Sequence, residues 1–240
     1  MFKGFNRKAI EFMAELNAHN DKEWFEPRKQ IYLDELYQPM KQLCDETAKP
    51  FLKIDGMMCK TGRIYSDPNY PPYRKYRENM WFIVKHEAWD WSKTPSLFFE
   101  LSADGAVFGF KITHPSAPVM EKFRRQLVSD EALLKQIKSA ERMGMALGGD
   151  DYKRPKPCDD SKLERFFLKK SLKLTVTLSA DDEALYSPEL PEMIIKAFKK
   201  LLPINELFEE FVREADAEKL AAKQAALEEM PKAPSEDFMW

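Results

Sequence analysis

Residues 96–112 read Ser96-Leu97-Phe98-Phe99-Glu100-Leu101-Ser102-Ala103-Asp104-Gly105-Ala106-Val107-Phe108-Gly109-Phe110-Lys111-Ile112. The two halves are rich in aromatic and aliphatic side chains that suit a pleated, half-buried surface. Asp104-Gly105 between them favours the positive-φ backbone of a tight hairpin turn. The stretch therefore predicts two antiparallel strands, 96–101 and 106–112. Just upstream, Asn79–His86 carries Met80-Trp81-Phe82-Ile83-Val84 and reads as a third strand. Arg63–Ser66 is a candidate for a further short strand before it. Downstream, Leu172, Leu174, Val176 and Leu178 alternate with Lys173, Thr175 and Thr177, the period-2 pattern of a half-buried strand.

The flanks have the helical period. Asn6 is a good N-cap for a helix lined by Ile10, Met13 and Leu16. Asn20-Asp21-Lys22-Glu23 has the form of a capping box, and Trp24, Ile31, Leu36, Met40, Leu43 and Cys44 continue a helical region to about Ala48, with a new turn at Pro39. After Ser116 the pattern returns with Met120, Phe123 and Leu127, then with Leu133, Leu134 and Ile137. A break falls at Gly144–Asp151, and Leu163–Lys170 reads as helical. Ser187-Pro188 opens a helix through Leu202, and Pro203 is expected to start another. Helices, then consecutive strands, then helices with one more strand predict an α+β fold: an antiparallel sheet packed with N-terminal and C-terminal helices.

The chain has 240 residues, enough for one sizeable domain, and no linker divides it. The reading places a single domain at residues 1–214 and an exposed helical or disordered acidic tail at 215–240. Residues 204–240 carry ten acidic and four basic groups, so the small overall charge of -2 hides a basic remainder. The basic excess concentrates at 60–78 and at 153–173, where eight basic groups face three acidic ones. A near-neutral total and a pI of about 6.1 argue against a nucleic-acid partner. With only 8 glycines, no phosphate-binding glycine loop of either common spacing occurs, and no cofactor is expected. Cys44, Cys59 and Cys158 are widely spaced, and none of His19, His86 or His114 sits at ligand spacing with another ligand, so no metal site is expected. Free thiols, the lack of a signal-peptide pattern and the lack of a long apolar run lead to the expectation of a cytoplasmic protein with no membrane contact.

Three segments together resemble a known family. They are Asn20-Asp21-Lys22-Glu23-Trp24-Phe25 with Arg28-Lys29 and Tyr32; Arg63-Ile64-Tyr65-Ser66-Asp67 with Pro72-Tyr73-Arg74; and Gly148-Gly149, Tyr152-Lys153-Arg154-Pro155 and Lys170-Ser171-Leu172. In that order, over roughly residues 5–210, they resemble the domain of unknown function 2461. Members usually place an arginine-phenylalanine pair and an aspartate-lysine pair inside the central loop, where this chain has Pro68-Asn69-Tyr70-Pro71. The resemblance implies a shared fold and supplies no catalytic residues, so whether the chain is an enzyme stays open.

The residues themselves single out the central loop. Arg63, Tyr65, Asp67, Tyr73 and Arg74 combine forked cations with hydroxyls on a proline-stiffened segment, and Lys153-Arg154 offers a second cationic pair. Arginine forks suit carboxylate or phosphate. The expectation is one basic, tyrosine-containing cleft, holding a phosphorylated or otherwise anionic small molecule, built from both sets. The competing reading is that these cations pair with acidic helices and only hold the loops down. An alternative function is a protein-interaction module using Trp89, Trp91 or the C-terminal helix. Trp24 and Phe25, at a helix start, read as core side chains.

Overall fold

The computed structural model describes residues 1–67, 69, 71, 73–88 and 90–228. One face of a six-stranded antiparallel sheet is covered by helices, so the architecture is α+β. The strands are β1 (Met57–Thr61), β2 (Asn79–His86), β3 (Ser96–Ser102), β4 (Gly105–Ile112), β5 (Ala146–Gly148) and β6 (Leu172–Ser179), in the order β1-β2-β3-β4-β6-β5. The helices are α1 (Arg7–His19), α2 (Lys22–Phe25), α3 (Lys29–Ile31), α4 (Gln38–Ala48), α5 (Ala117–Ser129), α6 (Glu131–Glu141), α7 (Glu164–Phe167) and α8 (Leu190–Glu228).

The hairpin at 96–112 closes as its sequence requires. Ser102 pairs with Gly105, and Gly105 sits at φ +124, where a Cβ would meet the Leu178 carbonyl oxygen at 2.1 Å. Strand alternation sends Phe82, Leu97, Phe99, Phe108, Phe110 and Leu174 into the helical layer. There α8 lays a stripe of Ile194, Phe198, Leu201, Ile204 and Phe208 along the sheet, with Phe110 and Phe208 rings 5.3 Å apart.

The opposite face is covered more thinly. Ile83 and Phe98 are buried there, and the Lys111 ammonium lies 4.1 Å from the Phe98 ring centre. The β2–β3 connection folds over this face through Lys85, which is 1% exposed and donates to the Trp91 carbonyl at 3.3 Å and to the Thr94 hydroxyl.

Three expectations change. The edge strand before β2 is Met57–Thr61, not Arg63–Ser66, which contributes only a single bridge from Tyr65 to Tyr76. The break at 144–151 contains β5, a three-residue edge strand. Pro203 does not start a new helix: α8 runs unbroken through it for 39 residues. Proline removes one internal hydrogen bond, but Leu201, Ile204 and Phe208 on either side of it are fully buried, and that burial holds the helix in line. The leading part of the 215–240 segment continues α8 to Glu228, with residues 216–226 exposed, while residues 229–240, including Phe238 and Trp240, lie outside the described residues.

Candidate functional site

The N-terminal signature and the central loop meet at one corner of the sheet. Asp21 caps α2 by accepting from the Trp24 amide at 2.8 Å, which leaves Asn20 for another task. The Asn20 side chain donates to the Tyr76 carbonyl at 2.9 Å and accepts from the Lys75 and Tyr76 amides at 3.1 Å each. It acts as a polar clamp between the helices and the extended β1–β2 hairpin.

Phe25, fully buried, stacks on Tyr76 with ring centres 4.2 Å apart and meets Tyr32 and Tyr65 edge-on or tilted. Burial pushes the Tyr32 hydroxyl up to about 12, against a weaker opposing pull from its bond with the Ile64 backbone. Trp24 is half-buried rather than core, with the His19 ring stacked at 5.8 Å and the Arg28 guanidinium 4.7 Å from its ring.

The sequence-predicted residues of this corner are mostly engaged with one another or with solvent. Arg74 pairs with Glu78, four residues on along a non-helical segment. Asp67 accepts from the Asn69 amide at 2.9 Å. Tyr65 is 44% exposed, and Tyr73 is 68% exposed at φ 61. Arg63 is exposed and forms no ion pair among the described residues. Pro68, Tyr70 and Pro72, which flank these groups, lie outside the described residues.

Lys153 and Arg154 are exposed at the diagonally opposite corner. Residues 64–66 run against 75–77 and extend the β1–β2 hairpin beyond the sheet end that carries Thr61 and Asn79. Residues 150–152 run against 168–171 beyond the other end, which carries Leu172 and Ile112. β1 and β5 are also the two edges of the sheet, five strand spacings apart, so the segments stand at least ~24 Å from each other. The expected single cleft uniting Arg63, Tyr65, Asp67, Tyr73 and Arg74 with Lys153 and Arg154 is therefore not formed. Sequence separation said nothing of strand order, and the late placement of β6 between β4 and β5 carries the second set to the far edge.

A different basic, tyrosine-containing hollow lies beside that second set. Gly149, at φ +114, turns the chain so that Asp150 exchanges bonds with Ser171, its amide donating to the Ser171 hydroxyl at 2.7 Å. The Tyr152 amide then donates to the Leu168 carbonyl at 2.8 Å, and Lys169 pairs with Asp151 at 2.7 Å. This short ladder holds Tyr152 over α5, with the Arg124 guanidinium 5.7 Å and the Lys156 ammonium 5.3 Å from its ring centre.

Arg124 is 8% exposed, its Nη1 is fully sequestered, and it makes no hydrogen bond or ion pair among the described residues. It lines a hollow of about 770 Å³ together with Glu121, Arg125, Val128, Ser129, Lys156, Pro157 and Phe167, and Glu121 pairs with Arg125 at 3.5 Å. The sequence carried a signal for it that went unread: Arg124 falls on the buried stripe of α5, beside Phe123 and four residues after Met120. A cation on an apolar stripe demands a partner.

Cys44 and Cys59, distant in sequence, meet between α4 and β1. A bond from the Cys44 thiol draws Cys59 down to about 7, and the same bond with burial pushes Cys44 up. No group of three or more metal-ligating side chains occurs among the described residues.

The fold and these two corners define an α+β protein whose sequence motifs lie on both sides of one antiparallel sheet. The chain belongs to the DUF2461 family of conserved hypothetical proteins, which matches residues 8–207. Comparison with curated proteins finds no match. No helix among the described residues is long and apolar enough to cross a membrane.

Proposed function

We propose that this protein binds a small anionic molecule, a phosphate or carboxylate, in the hollow between α5 and the Tyr152–Pro157 segment. One observation carries the reading: Arg124 is a buried guanidinium with no ion pair among the described residues, and the one carboxylate lining its hollow, Glu121, is paired with Arg125. Removing a charge from water is expensive unless it is paired. A planar fork roofed by a tyrosine and flanked by Lys156 and Arg125 is suited to bidentate contact with an anion. Lys153 and Arg154, on the same segment, add favourable potential at the entrance. Three unpaired cysteines support a reducing compartment and hence a cytoplasmic protein.

The test is thermal unfolding titrated with sodium phosphate against sodium chloride at equal ionic strength. Phosphate at a hundred times its Kd stabilises by about 2.7 kcal/mol through mass action, and Arg124→Met loses that shift. Equal responses to phosphate and chloride in the wild type would overturn the reading.

A second reading, protein interaction, is supported by the exposed length of α8 beyond the core, where Leu220 is 58% exposed. Trp91 supports it less, because Lys60 and Lys85 pack on its ring, and Trp89 lies outside the described residues. Truncation after Ala215 separates the two readings, since it leaves phosphate binding intact and removes any partner held by the helix.

A further inference from the structure

We infer that the anion held at Arg124 carries an apolar chain, so that the ligand class is an amphiphilic carboxylate or phosphate monoester. This rests on the anion site proposed above.

The hollow at Arg124 does not end there. A second one, of about 550 Å³, opens between α6 and the 157–163 segment and shares Val128, Pro157 and Phe167 with the first, so the two form one groove. Each volume alone falls in the ~300–1,000 Å³ range of small-molecule sites, and together they far exceed what an inorganic anion fills.

Charge is distributed unevenly along the groove. At the Arg124 end Arg124, Arg125 and Lys156 face one carboxylate, Glu121, which pairs with Arg125. At the other end Lys135, Lys138 and Lys162 are matched in number by Glu131, Asp159 and Asp160. An anionic head group is therefore directed to Arg124, and the remainder of the ligand runs over neutral ground.

The shared wall of Val128, Pro157 and Phe167 has no side-chain donor or acceptor, and the floor beyond it is Leu127, Leu134 and Leu163. A sugar or nucleobase in that position would lose hydrogen bonds to water without replacement, whereas a hydrocarbon gains by burial. Val128 is 67% exposed on a helix whose neighbouring apolar residues are buried, and it is the side chain such a tail would cover.

The experiment is calorimetric titration of the full chain with phosphate, acetate, hexanoate and decanoate, each below its aggregation concentration, and with decanol as the neutral control. Complete burial of a methylene is about a fourfold gain in affinity and half burial about twofold. Decanoate is therefore expected to bind at least a hundredfold tighter than acetate and well above decanol. Val128→Asn, at an exposed position, puts an uncharged polar group on the wall that the tail would cover and flattens the chain-length series, the slope being read against the acetate affinity of the same variant. Arg124→Met, with Arg124→Lys as the variant that keeps the charge, removes phosphate and acetate binding and brings decanoate down to decanol.

Binding of phosphate and acetate with no dependence on chain length would overturn the apolar-tail inference and leave the anion site standing. Equal binding of decanol and decanoate would overturn it also, because the head group would not be using Arg124. No binding of any anion would remove both.

Discussion

The corner around Tyr65 and the groove beside Arg124 are both basic, both contain tyrosine and both carry family-like sequence, yet their polar groups are in opposite states. At the corner, Asn20 fills three hydrogen bonds and Arg74 has Glu78. In the groove, Arg124 has the Tyr152 ring and no ion pair or hydrogen bond among the described residues. The difference teaches that a dense motif can be spent on holding elements together, while a ligand site is marked by what the protein leaves unsatisfied. Lys85 sharpens the contrast. It is as buried as any cation here, but a hydroxyl, a carbonyl and an indole surround its ammonium.

The largest expected effect tests the corner as architecture. Phe25→Ala removes a fully buried ring that packs on Phe12, Tyr32, Tyr65 and Tyr76, and is expected to destabilise by ~3–5 kcal/mol in chemical denaturation. A loss below ~1 kcal/mol would mean that the corner is not the helix–hairpin joint described here.

Asn20→Ala strips the clamp from two amides and a carbonyl and is expected to destabilise by ~2 kcal/mol. The phosphate affinity of that variant should be unchanged. A changed affinity with unchanged stability would reverse the roles of the two regions.

In the groove the sign is expected to invert. Arg124→Met replaces an unpaired buried charge by an apolar side chain of similar length and should stabilise the ligand-free protein by ~1 kcal/mol. Destabilisation would reveal that Arg124 is a structural partner.

A pH effect is expected at Lys85. Burial lowers Lys85 to about 8 in the folded protein from its ordinary 10.5. Between those values the unfolded chain binds the extra proton, so stability contributed through this group rises with pH from about 8 to about 10.5. Denaturation curves of wild type and Lys85→Met should therefore differ in slope across that window, with the wild type gaining more. Parallel curves would show that the Lys85 ammonium is better solvated than its surroundings suggest.

The smallest effect is expected at the exposed cations of the corner. Arg63→Ala with Arg74→Ala should change stability by ~0.5 kcal/mol or less and leave phosphate binding intact, since Arg63 is solvated and an exposed i,i+4 pair is weak. Loss of phosphate binding in this double variant would move the anion site from the groove to the hairpin.

Local chemistry was enough to read most of the fold. Period-2 alternation marked β6, aromatic runs marked β2, β3 and β4, and Asp104-Gly105 joined two of them. Asn6 caps α1 with its own side chain, while the cap of α2 is Asp21, one residue later than a capping box opening at Asn20 would place it. These signals work because a hydrogen bond to a neighbouring amide or a repeat of two residues needs no distant partner.

Met57–Thr61 and Ala146–Gly148 escaped for the converse reason. They are edge strands of weak β composition, made into strands by the neighbour they pair with. Pro203 likewise obeyed packing rather than propensity.

By itself the sequence determined an antiparallel sheet, a helical flank on each side and a surplus of cations in two segments. Only the tertiary structure decided that strand order sets those segments on diagonally opposite corners. It also decided that Arg124, inside a helix face the sequence assigns to the core, is a buried cation with no ion pair or hydrogen bond among the described residues. Strand order and charge neutralisation are long-range properties: each depends on which residues become neighbours, and chain distance does not carry that information.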